Sequence, residues 1–271
     1  MQKSKLGQIF LKNHNIIDQI VDSIDIHSNE TIIEIGPGNG ILTEAIAKKN
    51  CNLIAIEIDK YLYNKLVKKF KPNSNVSIIN ADILNTSLHK IIGSKLSNKI
   101  KVVGNIPYYI TSPILEYLIL NKQLYKSSVI MLQKEVGERI LSFPDSRKYG
   151  ALTLFIQYNM IVEKITEVSK NEFYPKPKVD SMIIKLYPRE KPFVKVENET
   201  LFFKIISTAF QKRRKMLHNA LSIIETWGNN INVNDSLKIA SIPSTLRAEN
   251  LSIEDFARFC AVINNKIKGK L

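Results

Sequence analysis

Short apolar runs alternate with amphipathic helical patterns over residues 31–132, and this alternation constrains the fold more than any other feature of the sequence. Strands are predicted at 31–35, 52–57, 76–80, 101–104 and 127–132, and helices at 41–49, 60–70, 113–120 and 134–141. A further helix before them presents Ile16, Ile17, Ile20, Val21 and Ile24 on one face. Strands that alternate with helices form a parallel sheet with helices on both faces, so we predict an α/β, Rossmann-like fold.

The pattern changes towards the carboxyl end of the chain. Two strands are predicted at 160–168 and 180–187 with no helix between them, which indicates an antiparallel pair at the sheet edge. From residue 199 onward only helical patterns occur. We therefore predict two domains, an α/β domain at 1–190 and a small all-α domain at 191–271.

The chain is strongly basic, with 39 Lys+Arg against 25 Asp+Glu and a formal net charge of +14. Residues 191–271 hold 13 basic and 7 acidic side chains, so the charge is densest in the predicted helical domain. Codon usage that favours Lys explains part of this excess, and a polyanionic partner explains the rest. Charge alone leaves nucleic acid and a membrane surface as alternatives.

Several classes of protein are disfavoured by the same composition. No apolar run reaches the length of a membrane span, and the first residues lead into no apolar segment typical of a secretory signal. Cys51 and Cys260 lie far apart without a CxxC spacing, and the four histidines show no ligand spacing. We therefore expect a cytoplasmic protein with neither disulfides nor a metal site.

A glycine-rich turn, Gly36-Pro37-Gly38-Asn39-Gly40, follows the first predicted strand of the sheet and opens a helix. Glycines in this place allow the backbone to turn sharply and to approach a ligand closely. Because the spacing is GxGxG rather than GxGxxG, an ordinary tight turn remains an alternative.

Acidic residues follow the next two strands. Glu57, 21 residues after Gly36, is placed to accept hydrogen bonds from ribose hydroxyls, and Asp82 could accept one from an adenine amine. The carboxyl ends of these strands meet in one cleft, so the set indicates an adenosine-containing cofactor. These residues alone do not separate NAD from S-adenosylmethionine.

The fourth strand of the parallel set ends in Asn105-Ile106-Pro107-Tyr108, which favours methylation of a planar exocyclic amine. The lone pair of such a nitrogen is delocalised into its ring. Hydrogen bonds from its two N–H groups to the Asn105 side-chain oxygen and the Ile106 carbonyl would localise the pair. Pro107 stiffens the backbone, and Tyr108 could stack on an extruded base.

Four cations, Lys212-Arg213-Arg214-Lys215, are predicted to lie within the long helix of the tail. Lys212, Arg214 and Lys215 are candidates for phosphate contacts, which position a protein on RNA without reading its sequence. A solvated helix face is the alternative. Arg213 lies closest to the apolar face, which favours a structural role.

Together these motifs resemble the ribosomal RNA small-subunit adenine N6,N6-dimethyltransferases, which are class I S-adenosylmethionine-dependent methyltransferases. The resemblance runs from Lys5 to about Phe259. Its further motifs are Leu6-Gly7-Gln8-Ile9-Phe10-Leu11, Gln133-Lys134-Glu135-Val136, Phe173-Tyr174-Pro175-Lys176-Pro177-Lys178-Val179-Asp180-Ser181, Ala209-Phe210-Gln211-Lys212-Arg213-Arg214-Lys215 and Leu246-Arg247-Ala248-Glu249-Asn250-Leu251-Ser252.

The resemblance implies a set of site residues. Cofactor contacts are expected from Leu11, Gly36, Gly38, Glu57, Ile58, Asp82, Ile83 and Asn105. Tyr108 and Phe173 are expected to sandwich the target adenine, although Phe173 could instead be a core aromatic residue. Two positions depart from the family pattern, since Ile9 and Tyr109 both stand where the family often has Asn.

The resemblance also implies the reaction and the partner. Two methyl groups are expected to reach each of two adjacent adenines in a hairpin loop near the 3′ end of 16S rRNA, within a late small-subunit precursor. We expect a monomer that binds no membrane. An assembly factor that has lost the chemistry is one alternative, and a DNA adenine methyltransferase is another. Ile106 argues against the second, because DNA adenine methyltransferases usually carry Pro there.

Overall fold

The computed structural model describes residues 9–93, 100–228 and 230–269, so the first three residues of the Leu6-Gly7-Gln8-Ile9-Phe10-Leu11 motif lie outside the described part. The strands are β1 (Phe10–Leu11), β2 (Thr31–Ile35), β3 (Asn52–Glu57), β4 (Val76–Asn80), β5 (Ile100–Asn105), β6 (Ser127–Gln133), β7 (Met160–Val168), β8 (Phe173–Tyr174) and β9 (Ser181–Pro188). The helices are α1 (His14–Ile24), α2 (Ile41–Ala47), α3 (Lys60–Phe70), α4 (Leu88–Ile92), α5 (Thr111–Leu120), α6 (Lys134–Ile140), α7 (Ala151–Asn159), α8 (Glu199–Gln211), α9 (Leu217–Ala220), α10 (Val233–Ile239) and α11 (Ile253–Ile267).

Seven strands form one mostly parallel sheet in the order β4-β3-β2-β5-β6-β9-β7. The five strands from β4 to β6 are parallel to their neighbours, and β9 pairs antiparallel with β6. The predicted α/β fold is confirmed, including strands β7 and β9 at one side of the sheet. The chain runs outward from β2 to β4 and then returns to β5, and ligands bind where the strand order reverses in this way.

Burial on both faces explains the apolar central strands. All five residues of β2 are buried, as expected where helices cover a parallel sheet on both sides. Helix α1 buries Ile17, Ile20 and Val21 in the same core, because their spacing places them on one face. Helix α3 begins after Asp59, whose carboxylate accepts hydrogen bonds from two amides of its first turn.

A second, two-stranded sheet pairs β1 with β8 antiparallel, with Phe10 opposite Tyr174 and Leu11 opposite Phe173. We name this pair the β1–β8 ribbon. Strand β8 lies between the strands predicted at 160–168 and 180–187, in a segment for which the sequence predicts no element. Strands of two residues show no periodicity, and the partner is more than 160 residues away, so pattern analysis misses such a pair.

The chain divides into two compact units, the first comprising Met1–Gly137 with Ile161–Pro188 and the second Glu138–Met160 with Arg189–Leu271. This division differs from the predicted 1–190 and 191–271, because residues 138–160 pack into the helical unit. Tyr149, Leu154 and Tyr158 lie in the same core as α8 and α11. The Tyr149 hydroxyl also donates a hydrogen bond of 3.0 Å to the carbonyl of Leu251.

The helical unit has its own apolar core. Helix α8 buries Phe202, Ile205 and Ile206, and α11 buries Phe256 and Phe259. Helix α11 begins at a capping box, in which Ser252 and Asp255 satisfy each other's backbone amides. Among the described helices of the whole chain, none is long and apolar enough to cross a bilayer.

Candidate functional site

A cavity of about 550 Å³ lies at the carboxyl ends of β2, β3, β4 and β5, within the first unit. Its volume is typical of sites for small molecules and cofactors. The residues predicted from sequence that line it are Leu11, Gly36, Gly38, Glu57, Ile58, Asp82, Ile83, Asn105 and Pro107. The parallel sheet therefore brings together residues that are spread over nearly 100 positions of the chain.

The glycine-rich turn forms one wall of the cavity. Gly38 has a φ of +58°, a conformation that glycine adopts without strain, and a Cβ there would lie 3.0 Å from the ring of Phe10. Gly40 has a φ of +78°, and a Cβ there would lie 2.6 Å from Leu66. The glycines thus allow helix α2 to begin close to both the cavity and α3.

Glu57 links this turn to the end of β3. Its carboxylate accepts hydrogen bonds from the Gly38 amide at 3.0 Å and from the Asp59 amide at 2.9 Å, and the residue is 1% exposed. Burial raises the pKa of Glu57, and the backbone amides partly oppose that rise. Each carboxylate oxygen has a further lone pair available for a ligand hydroxyl.

Glu34, which belongs to none of the sequence motifs described above, is a second buried carboxylate on the cavity wall. It lies in β2, two residues before Gly36, and is 2% exposed. Burial raises its pKa to about 7; the nearby Thr43 hydroxyl opposes part of that rise, and the charge of Glu57 adds to it. Its Oε2 atom has no hydrogen-bond partner among the described residues. Thr43 Oγ1, a possible donor to this carboxylate from within the protein, has no partner among the described residues either.

The side chain of Asp82 is held in place beside the adjacent strand. Its two carboxylate oxygens accept hydrogen bonds from the Leu84 amide at 3.0 Å and the Asn85 side chain at 2.7 Å. Ile58 is 52% exposed on the cavity wall, and Ile83 is buried beside it. Carboxylates next to apolar side chains suit a ligand that has both an apolar ring and donor groups.

Asn105 is the last residue of β5 and lines the cavity, whereas Ile106 is fully buried. The Ile106 amide donates a hydrogen bond of 3.1 Å to the Met131 carbonyl on β6, which anchors the backbone here. In the described part of the chain, the carboxamide of Asn105 makes no hydrogen bond. Its oxygen is therefore available to accept one from a substrate.

The two aromatic residues predicted to hold a base do not lie on the cavity wall. The Tyr108 hydroxyl is hydrogen-bonded to Ser181 Oγ at 2.8 Å, and burial raises the pKa of Tyr108. Phe173 is 3% exposed and packs in the core of the first unit, as in the core-aromatic alternative, and its contact with the target adenine stays a prediction. In a strand successive side chains point to opposite faces, and Tyr174, the next residue, lines the cavity instead.

Comparison with known proteins identifies the family. Residues 1–265 match the family model for ribosomal RNA adenine dimethylase. The chain belongs to this family. It is therefore an enzyme that transfers methyl groups from S-adenosylmethionine to ribosomal RNA.

Named relatives of this rRNA adenine dimethylase match it over most of their length. It is 43% identical over 253 residues to the ribosomal RNA small subunit methyltransferase A of Alkaliphilus metalliredigens, covering 93% of this chain and 88% of the relative. The protein of that name from Clostridium acetobutylicum is 41% identical over 254 residues, covering 94% of this chain and 91% of its own.

Solved structures agree with the fold of the dimethylase. A dimethyladenosine transferase from Plasmodium falciparum matches with a TM-score of 0.78 and 28% identity, covering 95% of this chain and 98% of the other. The 23S rRNA methyltransferase ErmE matches with a TM-score of 0.70 and 22% identity, covering 94% and 99%. The second likeness, at this identity, concerns the fold alone.

The cationic segment of the dimethylase is a turn rather than part of a helix, which corrects the prediction for 212–215. Helix α8 ends at Gln211, and Lys212 leaves the helical conformation. Arg213 donates to Glu249 at 2.6 Å and to the Ser146 carbonyl at 3.2 Å, an arrangement that holds the turn in place. Lys212, Arg214 and Lys215 are exposed. We name residues 212–215 the cationic turn.

Two further features complete the description of possible ligand sites. In residues 9–93, 100–228 and 230–269, no group of three or more His, Cys, Asp or Glu side chains is arranged to hold a metal ion. Cys51 and Cys260 are buried free thiols, and burial raises the pKa of Cys51 to about 11.

Proposed function

We propose that this dimethylase transfers methyl groups from S-adenosylmethionine to the N6 amines of two adjacent adenines in the 3′-terminal hairpin loop of 16S rRNA. The product is N6,N6-dimethyladenosine, formed during maturation of the small ribosomal subunit. One observation carries the proposal: the unpaired Asn105 carboxamide lies on the wall of the same cavity as Glu57 and Asp82. The names of the curated relatives support the small subunit as the target.

The residues around the cavity fit S-adenosylmethionine. Glu57 would accept from its ribose hydroxyls, and Asp82 from its adenine amine, while Ile58 and Ile83 offer apolar contact to the adenine ring. The unpaired oxygen of Glu34 matches a donor on the same ligand. Leu11 and the glycine-rich turn would complete the wall. When bound, the cofactor supplies a methyl carbon on a positively charged sulfur, which is open to attack by a nucleophile.

Asn105 and Ile106 would activate the target nitrogen. The Asn105 Oδ1 atom and the Ile106 carbonyl accept hydrogen bonds from the two N–H groups of the adenine amine, which reduces delocalisation of its lone pair into the ring. The buried Ile106 side chain and the bond from its amide to Met131 keep these acceptors in place. Rate enhancement then comes from positioning and electrostatics, without a covalent enzyme intermediate.

The same arrangement supports a second transfer to the same nitrogen. After one methyl group is attached and the nitrogen has lost one proton to water, the amine retains a single N–H, so one of the two acceptors is sufficient to orient it. Pro107 restricts the backbone that follows the Ile106 carbonyl. We infer that both acceptors determine the direction of attack in the first step and that one of them does so in the second.

The remaining parts of the proposal concern partners and location. We propose that the enzyme acts as a cytoplasmic monomer on a small-subunit precursor. The first unit would bind the cofactor, and the second would bind rRNA through Lys212, Arg214 and Lys215. Their exposed charges support this role, because phosphate contacts need cations that water can reach. Tyr108 remains a candidate for contact with the target base.

The test is to incubate the enzyme and methyl-labelled cofactor with small subunits that lack these methyl groups. Mass analysis of the nucleosides should show N6,N6-dimethyladenosine in 16S rRNA. Large subunits and duplex DNA, supplied in parallel, should stay unlabelled. Label in large-subunit rRNA alone would contradict the proposal and indicate a large-subunit rRNA methyltransferase. Label in DNA alone would contradict it and indicate a DNA methyltransferase. Failure to bind the cofactor in calorimetry would favour a binding factor without chemistry.

A further inference from the structure

The β1–β8 ribbon joins two parts of the first unit that are distant in the sequence. On the β1 side, Phe10 and Leu11 line the cavity, and the Phe10 ring packs beside Gly38 of the glycine-rich turn. On the β8 side, Phe173 is paired with Leu11, and its contact with the target adenine is a prediction from the sequence. The ribbon therefore connects the wall of the cavity to the segment that is expected to meet the substrate.

A hydrogen bond between two side chains continues the ribbon just beyond its paired strands. The Asn13 side-chain amide donates to the Glu172 carboxylate at 2.8 Å, and the Lys12 backbone amide donates to the Glu172 carbonyl at 2.9 Å. The Asn13 Oδ1 atom accepts from the Asn15 amide at 2.9 Å and thereby caps α1. Asn13 thus uses its acceptor on its own helix and its donor on the residue that precedes β8.

The backbone alone joins the two strands of the ribbon only weakly. Each strand contributes two residues, and isolated two-stranded ribbons are marginally stable in water. A hydrogen bond to a charged acceptor is stronger than one between neutral groups, and the bond from Asn13 to Glu172 is partly buried. This bond therefore strengthens the connection between β1 and β8.

The loop that follows β8 is closed at its base. The Lys170 amide donates to the Asp180 carboxylate at 2.9 Å, so the two ends of the loop are joined. Ser181, the next residue, is hydrogen-bonded to the hydroxyl of Tyr108, a candidate for contact with the target base. Glu172 lies within this closed loop, so its position affects how the loop presents its side chains to the substrate.

We propose that the hydrogen bond between Asn13 and Glu172 couples the binding of S-adenosylmethionine to the binding of the target nucleotide. This inference rests on the proposed function. A cofactor that contacts Leu11 and the glycine-rich turn favours one position of β1, and the bond transmits that preference to the loop after β8. By linkage, each ligand then raises the affinity for the other by the same factor. Asn13 and Glu172 are positioning residues, because they act through β1 and the loop.

The experiment exchanges the donor and the acceptor of this bond. Asn13→Asp keeps the oxygen that caps α1 but places a second carboxylate against Glu172, so the bond is lost. Adding Glu172→Gln supplies an amide donor to the new carboxylate and restores the bond in the reverse direction. Glu172→Ala removes the acceptor without adding a charge. Asn232→Asp is the matched control, because the Asn232 side chain also caps its own helix, α10.

The coupling is measured as the ratio of two dissociation constants for small subunits that lack the methyl groups. One is obtained without ligand and the other with saturating S-adenosylhomocysteine, the demethylated cofactor, which cannot react; cosedimentation gives both. We expect the wild-type enzyme to bind subunits about tenfold more tightly with this ligand, within the usual range for coupled sites. The ratio should fall to about one in Asn13→Asp and in Glu172→Ala. It should recover to at least about half of the wild-type value in the double variant and stay unchanged in Asn232→Asp.

The ratio distinguishes coupling from a role in folding alone. If the bond only stabilised the fold, Asn13→Asp would lower the unfolding temperature and leave the ratio at its wild-type value, which would overturn the inference. A wild-type ratio near one, or no recovery in the double variant, would overturn it too. Calorimetry without subunits sets the saturating ligand concentration for each variant. All these outcomes leave the proposed function standing, whereas wild-type enzyme that methylates no subunits would overturn the proposed function itself.

Discussion

Polar groups beside the cavity differ in whether the protein satisfies their hydrogen bonds. Both carboxylate oxygens of Glu57 accept backbone hydrogen bonds, whereas Glu34 Oε2 and the Asn105 carboxamide have no partner among the described residues. A satisfied group shapes the site, and an unsatisfied one is available to a ligand. At the scale of single residues, the hydrogen bonds of Glu57 hold its carboxylate in place, and the Asn105 carboxamide is left available to a substrate.

The role of Asn105 is testable by Asn105→Ala. Methyl transfer should fall at least a hundredfold, because the amine would lose one acceptor that holds it for attack, as when one catalytic hydrogen bond is removed. Cofactor affinity should change by no more than about threefold. Single-turnover assays measure the rate of methyl transfer, and calorimetry measures the cofactor affinity. Equal losses in both would mean that Asn105 mainly binds the cofactor rather than the substrate amine.

Glu34 should make stability depend on pH. Burial raises its folded-state pKa from 4.5 to about 7, so the folded state holds its proton where the unfolded state has lost it. Stability should therefore fall as the pH rises from about 4.5 to 7 and then level off, with a loss of about 3 kcal/mol from this group. Below pH 4.5 both states are protonated and the effect vanishes.

The variant Glu34→Gln removes the titration of this carboxyl. Comparing the variant with the wild type therefore separates the contribution of Glu34 from those of the other titratable groups. Urea unfolding of the free enzyme at pH 5 and pH 8 should show a stability difference between variant and wild type that grows with pH in favour of the variant. Glu44→Gln is the matched control on the exposed side of α2, where the Lys69 ammonium lowers the carboxyl pKa. A difference for Glu34→Gln that stays constant between the two pH values would contradict the prediction.

Strands β2 and β5 are joined by a buried ion pair as well as by their backbone hydrogen bonds. The Lys101 ammonium on β5 lies 2.8 Å from the carboxylate of Glu30, which immediately precedes β2, and both side chains are less than 10% exposed. The ammonium also donates to the Asp25 carbonyl. These two strands border the point where the strand order reverses, so their alignment positions the cavity walls.

Removing one partner of the Glu30–Lys101 ion pair should lower the free energy of unfolding. Lys101→Met would leave the Glu30 carboxylate buried without its cation, and we expect a loss of about 3 kcal/mol in the free energy of unfolding. Replacing both partners, by Lys101→Met with Glu30→Gln, should recover part of the loss. Urea unfolding measures each value. Lys69→Met, at an exposed pair with the same 2.8 Å separation, should change little, and an equal effect there would refute the prediction.

The elements themselves were largely predictable, with informative exceptions. The bounds of β2, β3, α3, β4 and β7 agree with the pattern to the residue. The sequence does not predict helix α7, because 151–159 is apolar on nearly all sides and shows no clear period. Strands β1 and β8 were also not assigned, since each has two residues and depends on a distant partner.

Across the whole molecule, positive charge is shared by two units of different size. The helical unit has 17 Lys+Arg and 10 Asp+Glu in 106 residues, and the first unit has 22 and 15 in 165. The charge is therefore denser in the unit that carries the cationic turn. Binding of a polyanion through such charges depends on salt, because counterions are released from the phosphates.

Substitution of Lys212, Arg214 and Lys215 by Ala should weaken binding to small subunits and reduce the slope of log affinity against log salt by about 2. The control replaces three other exposed lysines of the same unit, Lys191, Lys195 and Lys238, and removes the same net charge. Filter binding between 50 and about 300 mM salt measures both slopes. Equal slopes in the two triple variants would assign the effect to net charge and not to the cationic turn.

By itself, the sequence determined the α/β alternation, the glycine-rich turn, the three polar strand ends and the Asn-Ile-Pro-Tyr segment. These features are local, since periodicity and turn chemistry are set by residues close together in the chain. Only the tertiary structure decided that Phe173 is buried while Tyr174 faces the cavity, that Glu34 lacks a partner, that Arg213 is held by Glu249 and that residues 138–160 join the helical unit. Such outcomes depend on which side chains meet across long separations, and composition and spacing do not encode those contacts.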